Sequence, residues 1–166
     1  MLYYVEICLS PWEVPKESSI CIYIAGCQNH CVNCHYPELQ KYDDGYLLRK
    51  QYFNIVNAYL HQATCVCFLG EGKCGDEEKR EFLHYVNYAH QVNLKTCLYS
   101  GRDIGIESWM DKFDFVKVGS YQSTLGGLNS SRTNQIMLEK MSDGYRNINH
   151  YFVEMCNGSK RCLVQL

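Results

Sequence analysis

A chain of 166 residues is long enough for one domain with its own hydrophobic core. A closed eight-fold βα barrel needs about 250 residues, so the chain can hold only part of such a barrel or an open α/β sheet. The net charge of −2 gives no electrostatic basis for binding nucleic acid or an anionic membrane, and no apolar stretch approaches the roughly 20 residues that span a bilayer. Residues 1–10 contain Glu6 but no basic segment or cleavage site, so we predict no signal peptide, a cytoplasmic location and free thiols despite eleven cysteines.

Short apolar runs alternate along the chain with segments of helical periodicity. Strands are predicted over residues 2–9, 20–25, 64–69, 94–99, 113–118 and 136–138. A first helix is predicted over residues 48–60, after the N-cap candidate Asp43-Asp44-Gly45. A second is predicted to begin at the N-cap candidate Asp76 and to bury Phe82, Val86 and Ala89. A third, short helix is predicted over residues 103–110. This alternation predicts an α/β fold with a mostly parallel sheet. We treat residues 1–166 as a single domain, with a core of about residues 20–138 and a C-terminal tail from about residue 153.

Four of the predicted strands are followed by a glycine, namely Gly26, Gly70, Gly101 and Gly119. In a parallel sheet these positions lie on one edge, and glycine allows the backbone to turn sharply and to approach a ligand closely. Each glycine could be a turn residue only, but their recurrence beside one loop favours a shared binding site at that edge.

Three cysteines, Cys27, Cys31 and Cys34, follow the second predicted strand in the order C-x3-C-x2-C. A structural zinc site usually has four ligands in paired C-x2-C spacings, and this chain has no second pair. A [4Fe–4S] cluster takes one ligand per iron, so three cysteines leave one iron open to a reactant. We favour the cluster, with a zinc site and inert core thiols as the alternatives.

The remaining cysteines have simpler interpretations. Cys65 and Cys67 share one face of a predicted strand and are interpreted as small buried apolar side chains. The same interpretation applies to Cys8, Cys21 and Cys97, whereas Cys74, Cys156 and Cys162 receive no role.

The chain resembles the radical S-adenosylmethionine (SAM) family in its cysteine spacing. Within that family it is similar to the activating proteins of the anaerobic (class III) ribonucleotide reductase over about residues 20–138. The similar segments are Phe68-Leu69-Gly70-Glu71-Gly72, Tyr99-Ser100-Gly101-Arg102, residues 121–128 and Thr133-Asn134-Gln135. This resemblance implies a partial, open βα barrel and an oxidoreductase that cleaves SAM and generates a glycyl radical on the large anaerobic reductase. It also implies an electron donor such as flavodoxin or ferredoxin, and it leaves a homodimer open.

The resemblance also implies roles for particular residues. Cys27, Cys31 and Cys34 would hold the [4Fe–4S] cluster, whose open iron would bind the amino and carboxylate groups of SAM. The SAM contacts would come from Val32, Asn33, Gly70, Glu71, Gly72, Ser100, Gly101, Thr133, Asn134 and Gln135. The chain departs from the family pattern where Glu71 stands one place before the usual acid, where Asn33 replaces an aromatic residue, and where Ile136 replaces an arginine. The chemistry belongs to the cofactor, so no catalytic acid, base or nucleophile is predicted.

Three functions therefore remain open on the sequence. The first is the reductase activase. The second is another small radical SAM enzyme, which activates a different glycyl-radical enzyme or modifies a small molecule. The third is a non-catalytic zinc or iron–sulfur binding module, which metal content would distinguish from the other two.

Overall fold

The computed structural model describes residues 1–42 and 45–158, which form an α/β fold. The strands are β1 (Tyr3–Ser10), β2 (Ser19–Ile24), β3 (Tyr46–Leu47), β4 (Cys65–Leu69), β5 (Lys95–Tyr99), β6 (Phe115–Val118), β7 (Ile136–Met141) and β8 (Gly144–Asn147). The α-helices are α1 (Tyr52–Tyr59), α2 (Asp76–Gln91) and α3 (Asn149–Gly158). Short 3-10 helices cover Pro37–Gln40, Leu48–Lys50 and Met110–Lys112. Within the described ranges, no helix combines the length and apolar character needed to cross a bilayer.

All eight strands belong to one mixed sheet, in the order β3-β1-β2-β4-β5-β6-β7-β8. The central strands β2, β4, β5 and β6 run parallel, and the pairings on both sides of this group are antiparallel. The prediction of a mostly parallel sheet is therefore wrong, because three pairings are parallel and four are antiparallel. The connections β1–β2, β6–β7 and β7–β8 contain no crossover helix, and a parallel neighbour needs such a crossover. The two ends of the sheet, β3 and β8, do not pair with each other, so the sheet is not closed.

The core is divided between the two faces of the sheet, because side chains alternate along each strand. One face packs against α1 and α2 and contains Ile22, Phe68, Phe82 and Val86 among its buried residues. The other face contains a row of thiols from four adjacent strands, in which register pairs Cys8 with Cys21, Cys21 with Cys67 and Cys67 with Cys97. Cys21, Cys67, Cys97 and Cys65 are fully buried, as predicted from the sequence. Cys8, for which burial is also predicted, is only half-buried, because its strand β1 lies nearer to the end of the sheet. This face is covered by Val14, Leu128 and Phe152.

The helix boundaries differ from the predictions in four places. Helix α2 begins at Asp76, but Gly75 is its N-cap, and the Glu78 carboxylate accepts the Gly75 N–H at 3.1 Å. Helix α1 begins only at Tyr52, and the predicted cap residues Asp43 and Asp44 lie outside the described residues. Residues 103–110 form no α-helix, because the Asp103 carboxylate accepts two hydrogen bonds from Ser120 (both 2.8 Å) instead of capping a helix. Helix α3 continues to Gly158, past the predicted start of the tail, and the side chain of Cys156 and all of Cys162 lie outside the description.

Candidate functional site

The carboxyl ends of β2, β4, β5 and β6 lie side by side, so the four predicted glycines stand at one edge of the sheet. Gly70 has φ +111°, and a Cβ there would lie 3.1 Å from the Ile24 carbonyl oxygen. A Cβ at Gly101 would collide with the side chain of Asn29, which belongs to the cysteine loop. At these two positions a side chain would push the cysteine loop and the strand ends apart.

A cavity at this edge brings together residues from three separate segments. Its walls are formed by Cys27, Gln28 and Asn29 of the cysteine loop, by residues 70–74, and by Gly101 and Arg102. Five predicted site residues therefore meet in one place, namely Cys27, Gly70, Glu71, Gly72 and Gly101. Ser100, also predicted, is fully buried and donates its hydroxyl hydrogen bond to Glu71 at 2.8 Å.

The carboxylate of Glu71 is nearly buried and already fully engaged. Its two oxygens accept one hydrogen bond from Ser100 and two from the Arg102 guanidinium, both at 2.9 Å. Arg102 also donates to both oxygens of Glu107, at 3.1 and 3.0 Å. These hydrogen bonds, together with one from the Trp109 indole, lower the pKa of Glu107 to about 2. The Glu71 side chain is thus part of the cavity wall and is held there by an arginine 31 residues away in sequence.

The cysteine loop is attached to the rest of the fold by a few backbone hydrogen bonds. The amides of Gly26 and Cys27 both donate to the Leu39 carbonyl, at 2.6 and 2.8 Å. Farther along, the ring of His35 packs against Tyr121 with centroids 4.4 Å apart. All three loop thiols are half-buried. Burial raises the pKa of the Cys27 thiol, and the nearby thiol groups of Cys34 and Cys31 act in the same direction.

The other predicted contacts do not line the cavity. Val32 projects into solvent with 78% of its surface exposed, and Asn33 has φ +58° in the same loop. Asn134 and Gln135 support the loop after β6, donating to the carbonyl oxygens of Ser120 (2.9 Å) and Gly119 (3.5 Å). Thr133 donates to the Gly126 carbonyl at 3.1 Å, so this segment holds backbone rather than facing the cavity. The Oδ1 atom of Asn134 is buried without a hydrogen-bond partner.

One residue of this region was not singled out by the sequence analysis. Lys117 lies in β6, has 6% of its surface exposed, and donates to the carbonyl oxygens of Gly119 (2.7 Å) and Ser100 (3.4 Å). The signal was available, because a lysine between Val116 and Val118 interrupts an otherwise apolar strand. Buried lysines are rare unless they are paired, so this position is one to examine for function.

The residues present match the chemistry of an iron–sulfur cluster, although the thiols are not gathered around one point. Among residues 1–42 and 45–158, no three histidine, cysteine or acidic side chains are placed so that they could hold a metal ion. The three loop thiols are nevertheless near enough for Cys31 and Cys34 to affect the pKa of Cys27, and Cys31 and Cys27 in turn affect the pKa of the buried Lys117. Among the described residues, no carboxylate lies within ion-pair distance of the Lys117 ammonium group. Three soft sulfur donors next to an unpaired cation suit an anionic iron–sulfur group.

Comparison with known proteins identifies no relative: no family model, curated protein or solved structure matches this chain.

Proposed function

We propose that this chain is a radical SAM enzyme that generates a glycyl radical on the large anaerobic ribonucleotide reductase. The observation that carries this proposal is the shared cavity, in which Cys27 meets Gly70, Gly72 and Gly101. These residues belong to segments far apart in the sequence, and the resemblance to the activating proteins rests on the same segments. Their meeting at the carboxyl edge of parallel strands is typical of a built ligand site in an α/β fold.

Each part of the cavity has a distinct task in this proposal. Cys27, Cys31 and Cys34 would hold a [4Fe–4S] cluster, which supplies the electron for reductive cleavage of SAM to methionine and the 5′-deoxyadenosyl radical. Gly70 and Gly72 leave the cavity wall without side chains, so that backbone atoms can contact the methionine part of SAM. Arg102 neutralises the Glu71 carboxylate and keeps that wall rigid.

Two features support a protein as the substrate. The sheet is not closed, so a loop of another chain has room to approach the cavity. The cysteine loop also exposes apolar surface beside the thiols, with Val32 78% and Tyr36 37% exposed. Exposed apolar side chains around a reactive site favour coverage by a partner.

The test combines the anaerobically reconstituted protein, SAM, a reductant such as flavodoxin or dithionite, and the large reductase. We expect an EPR doublet from a glycyl radical on the reductase, together with 5′-deoxyadenosine. The doublet should disappear when the C-terminal glycine of the reductase is changed to alanine, and also with the Cys31→Ala variant of this chain.

Other outcomes would support the alternatives. One zinc per chain with no acid-labile sulfide would reduce the function to a metal-binding module. Free cleavage of SAM without a radical on the reductase, or on any other glycyl-radical enzyme supplied, would contradict the activase function and favour a small-molecule substrate.

A further inference from the structure

Lys117 occupies an unusual place for a lysine. It lies in register between Tyr99 of β5 and Met137 of β7, on the face of the sheet opposite to helices α1 and α2. Its ammonium group donates to two carbonyl oxygens at the carboxyl edge, those of Gly119 and Ser100. The side chain therefore ends at the same edge as the cysteine loop and cannot extend into solvent.

No carboxylate in the described ranges lies within ion-pair distance of this ammonium group. Burial lowers the pKa of Lys117 to about 8, so the group stays mostly protonated at neutral pH. A buried positive charge with only neutral acceptors is costly, and such charges usually have an anionic partner.

The neighbouring negative groups show what that partner can be. The groups whose negative form would raise the pKa of Lys117 are, in decreasing order of effect, Cys31, Asp103, Cys27 and Glu71. Glu71 is already neutralised by Arg102, and Asp103 accepts two hydrogen bonds from Ser120. Asp103 has no cation within ion-pair distance among the described residues either, but its side chain is exposed and its charge is screened by water. The half-buried thiols of the cysteine loop are therefore the groups left without a cation in a partly dry site.

We propose that Lys117 is the counter-ion of the iron–sulfur cluster held by Cys27, Cys31 and Cys34, and that it raises the reduction potential of that cluster. This inference rests on the function proposed above. A cluster with three thiolates is anionic and gains a further negative charge on reduction, so a buried cation stabilises the reduced form more than the oxidised form. Lys117 would thereby make the cluster easier to reduce before SAM cleavage.

The experiment compares three variants in the anaerobically reconstituted protein. Lys117→Met keeps a chain of similar length without charge, and Lys117→Arg keeps the charge. Lys50→Met removes an exposed lysine that does not line the cavity and serves as the control. The midpoint potential is measured by redox titration, with the EPR signal of the reduced cluster as the readout, and iron and sulfide are counted in parallel.

We expect a more negative potential for Lys117→Met, a potential near that of the wild type for Lys117→Arg, and no change for Lys50→Met, whose charge is screened by water. A second outcome would also support this role: Lys117→Met has no cluster, its apoprotein unfolds at the same temperature as the wild-type apoprotein, and Lys117→Arg retains the cluster. An unchanged potential for Lys117→Met would overturn the inference, and weaker SAM binding at an unchanged potential would assign Lys117 to the carboxylate of SAM instead. A wild-type protein without any iron–sulfur cluster would overturn the proposed function, and this inference with it.

Discussion

Replacing Arg102 with methionine should destabilise the fold strongly, because it leaves the Glu71 carboxylate buried and unpaired. Glu71 has 6% of its side chain exposed and would lose both hydrogen bonds from the guanidinium, retaining those from the Ser100 hydroxyl at 2.8 Å and, more weakly, from the Cys74 thiol at 3.8 Å. Removing one partner of a buried ion pair typically costs about 3–5 kcal/mol of unfolding free energy. The Arg102 side chain is 29% exposed, so water can reach part of the space it leaves, and we expect the lower end, about 3 kcal/mol.

A second substitution separates this cause from simple loss of packing. Glu71→Gln in the Arg102→Met background removes the unpaired charge and should recover about 1–2 kcal/mol, although the amide still lacks partners. The matched control is Arg146→Met, which breaks an ion pair of 2.5 Å with Glu139 at a position where the arginine side chain is 54% exposed. That variant should unfold at the urea concentration of the wild type, because exposed ion pairs contribute little.

The measurement is urea-induced unfolding of the four proteins at pH 7, followed by circular dichroism. A loss of less than about 1 kcal/mol for Arg102→Met would refute the reasoning, because it would show that Glu71 does not depend on the guanidinium. Failure of Glu71→Gln to recover stability would also contradict it, by assigning the loss to packing of the arginine stem.

Three further predictions concern the cavity and its edge. Alanine at any one of the three loop cysteines should abolish the iron and sulfide content of the reconstituted protein, whereas Cys67→Ala should retain it; the reverse result would show that the ligands are assigned wrongly. Gly70→Val should keep the cluster but lose 5′-deoxyadenosine production, because its φ of +111° and the Ile24 carbonyl at 3.1 Å leave no room for a side chain; equal yields would remove Gly70 from the site. The pKa of Glu107 is lowered to about 2, so the stability it contributes is present above its ordinary value of 4.5 and is lost as the pH falls towards 2. We expect Glu107 to contribute about 1 kcal/mol to the free energy of unfolding, since its side chain is 36% exposed. The unfolding free energy of Glu107→Gln should therefore fall less steeply with decreasing pH than that of the wild type, and an equally steep fall would contradict this.

The local pattern of apolar and polar residues is sufficient to predict the strands and the long helix at the centre of the fold. The apolar runs that became β2, β4, β5 and β6 and the periodic stripe of α2 were predicted correctly, because each is buried on a fixed repeat that needs no knowledge of distant residues. The glycines at the strand ends were likewise predicted to share one edge, since parallel neighbours place their carboxyl ends together. The prediction that Cys21, Cys65, Cys67 and Cys97 are buried is confirmed, since all four side chains are inaccessible to solvent.

Strand direction at the two ends of the sheet was decided only by tertiary structure. A strand such as β7 has the same local pattern whether it pairs parallel or antiparallel. β3 has only two residues, and β8 is mostly exposed and polar, so neither produces an apolar pattern of its own. Their pairing depends on which partner is available after the intervening loop, and the sheet therefore became mixed.

The electrostatics of the site were also outside the reach of the sequence. The spacing of Cys27, Cys31 and Cys34 by itself is the basis on which we propose a cluster site, because metal ligands close together in sequence need no long-range contact. The partner of Glu71 lies 31 residues away, and the isolation of the Lys117 ammonium depends on burial by several strands and loops. Only the folded chain brings these charges together and removes water from them, and that change of surroundings, rather than the residue types, gives each its properties.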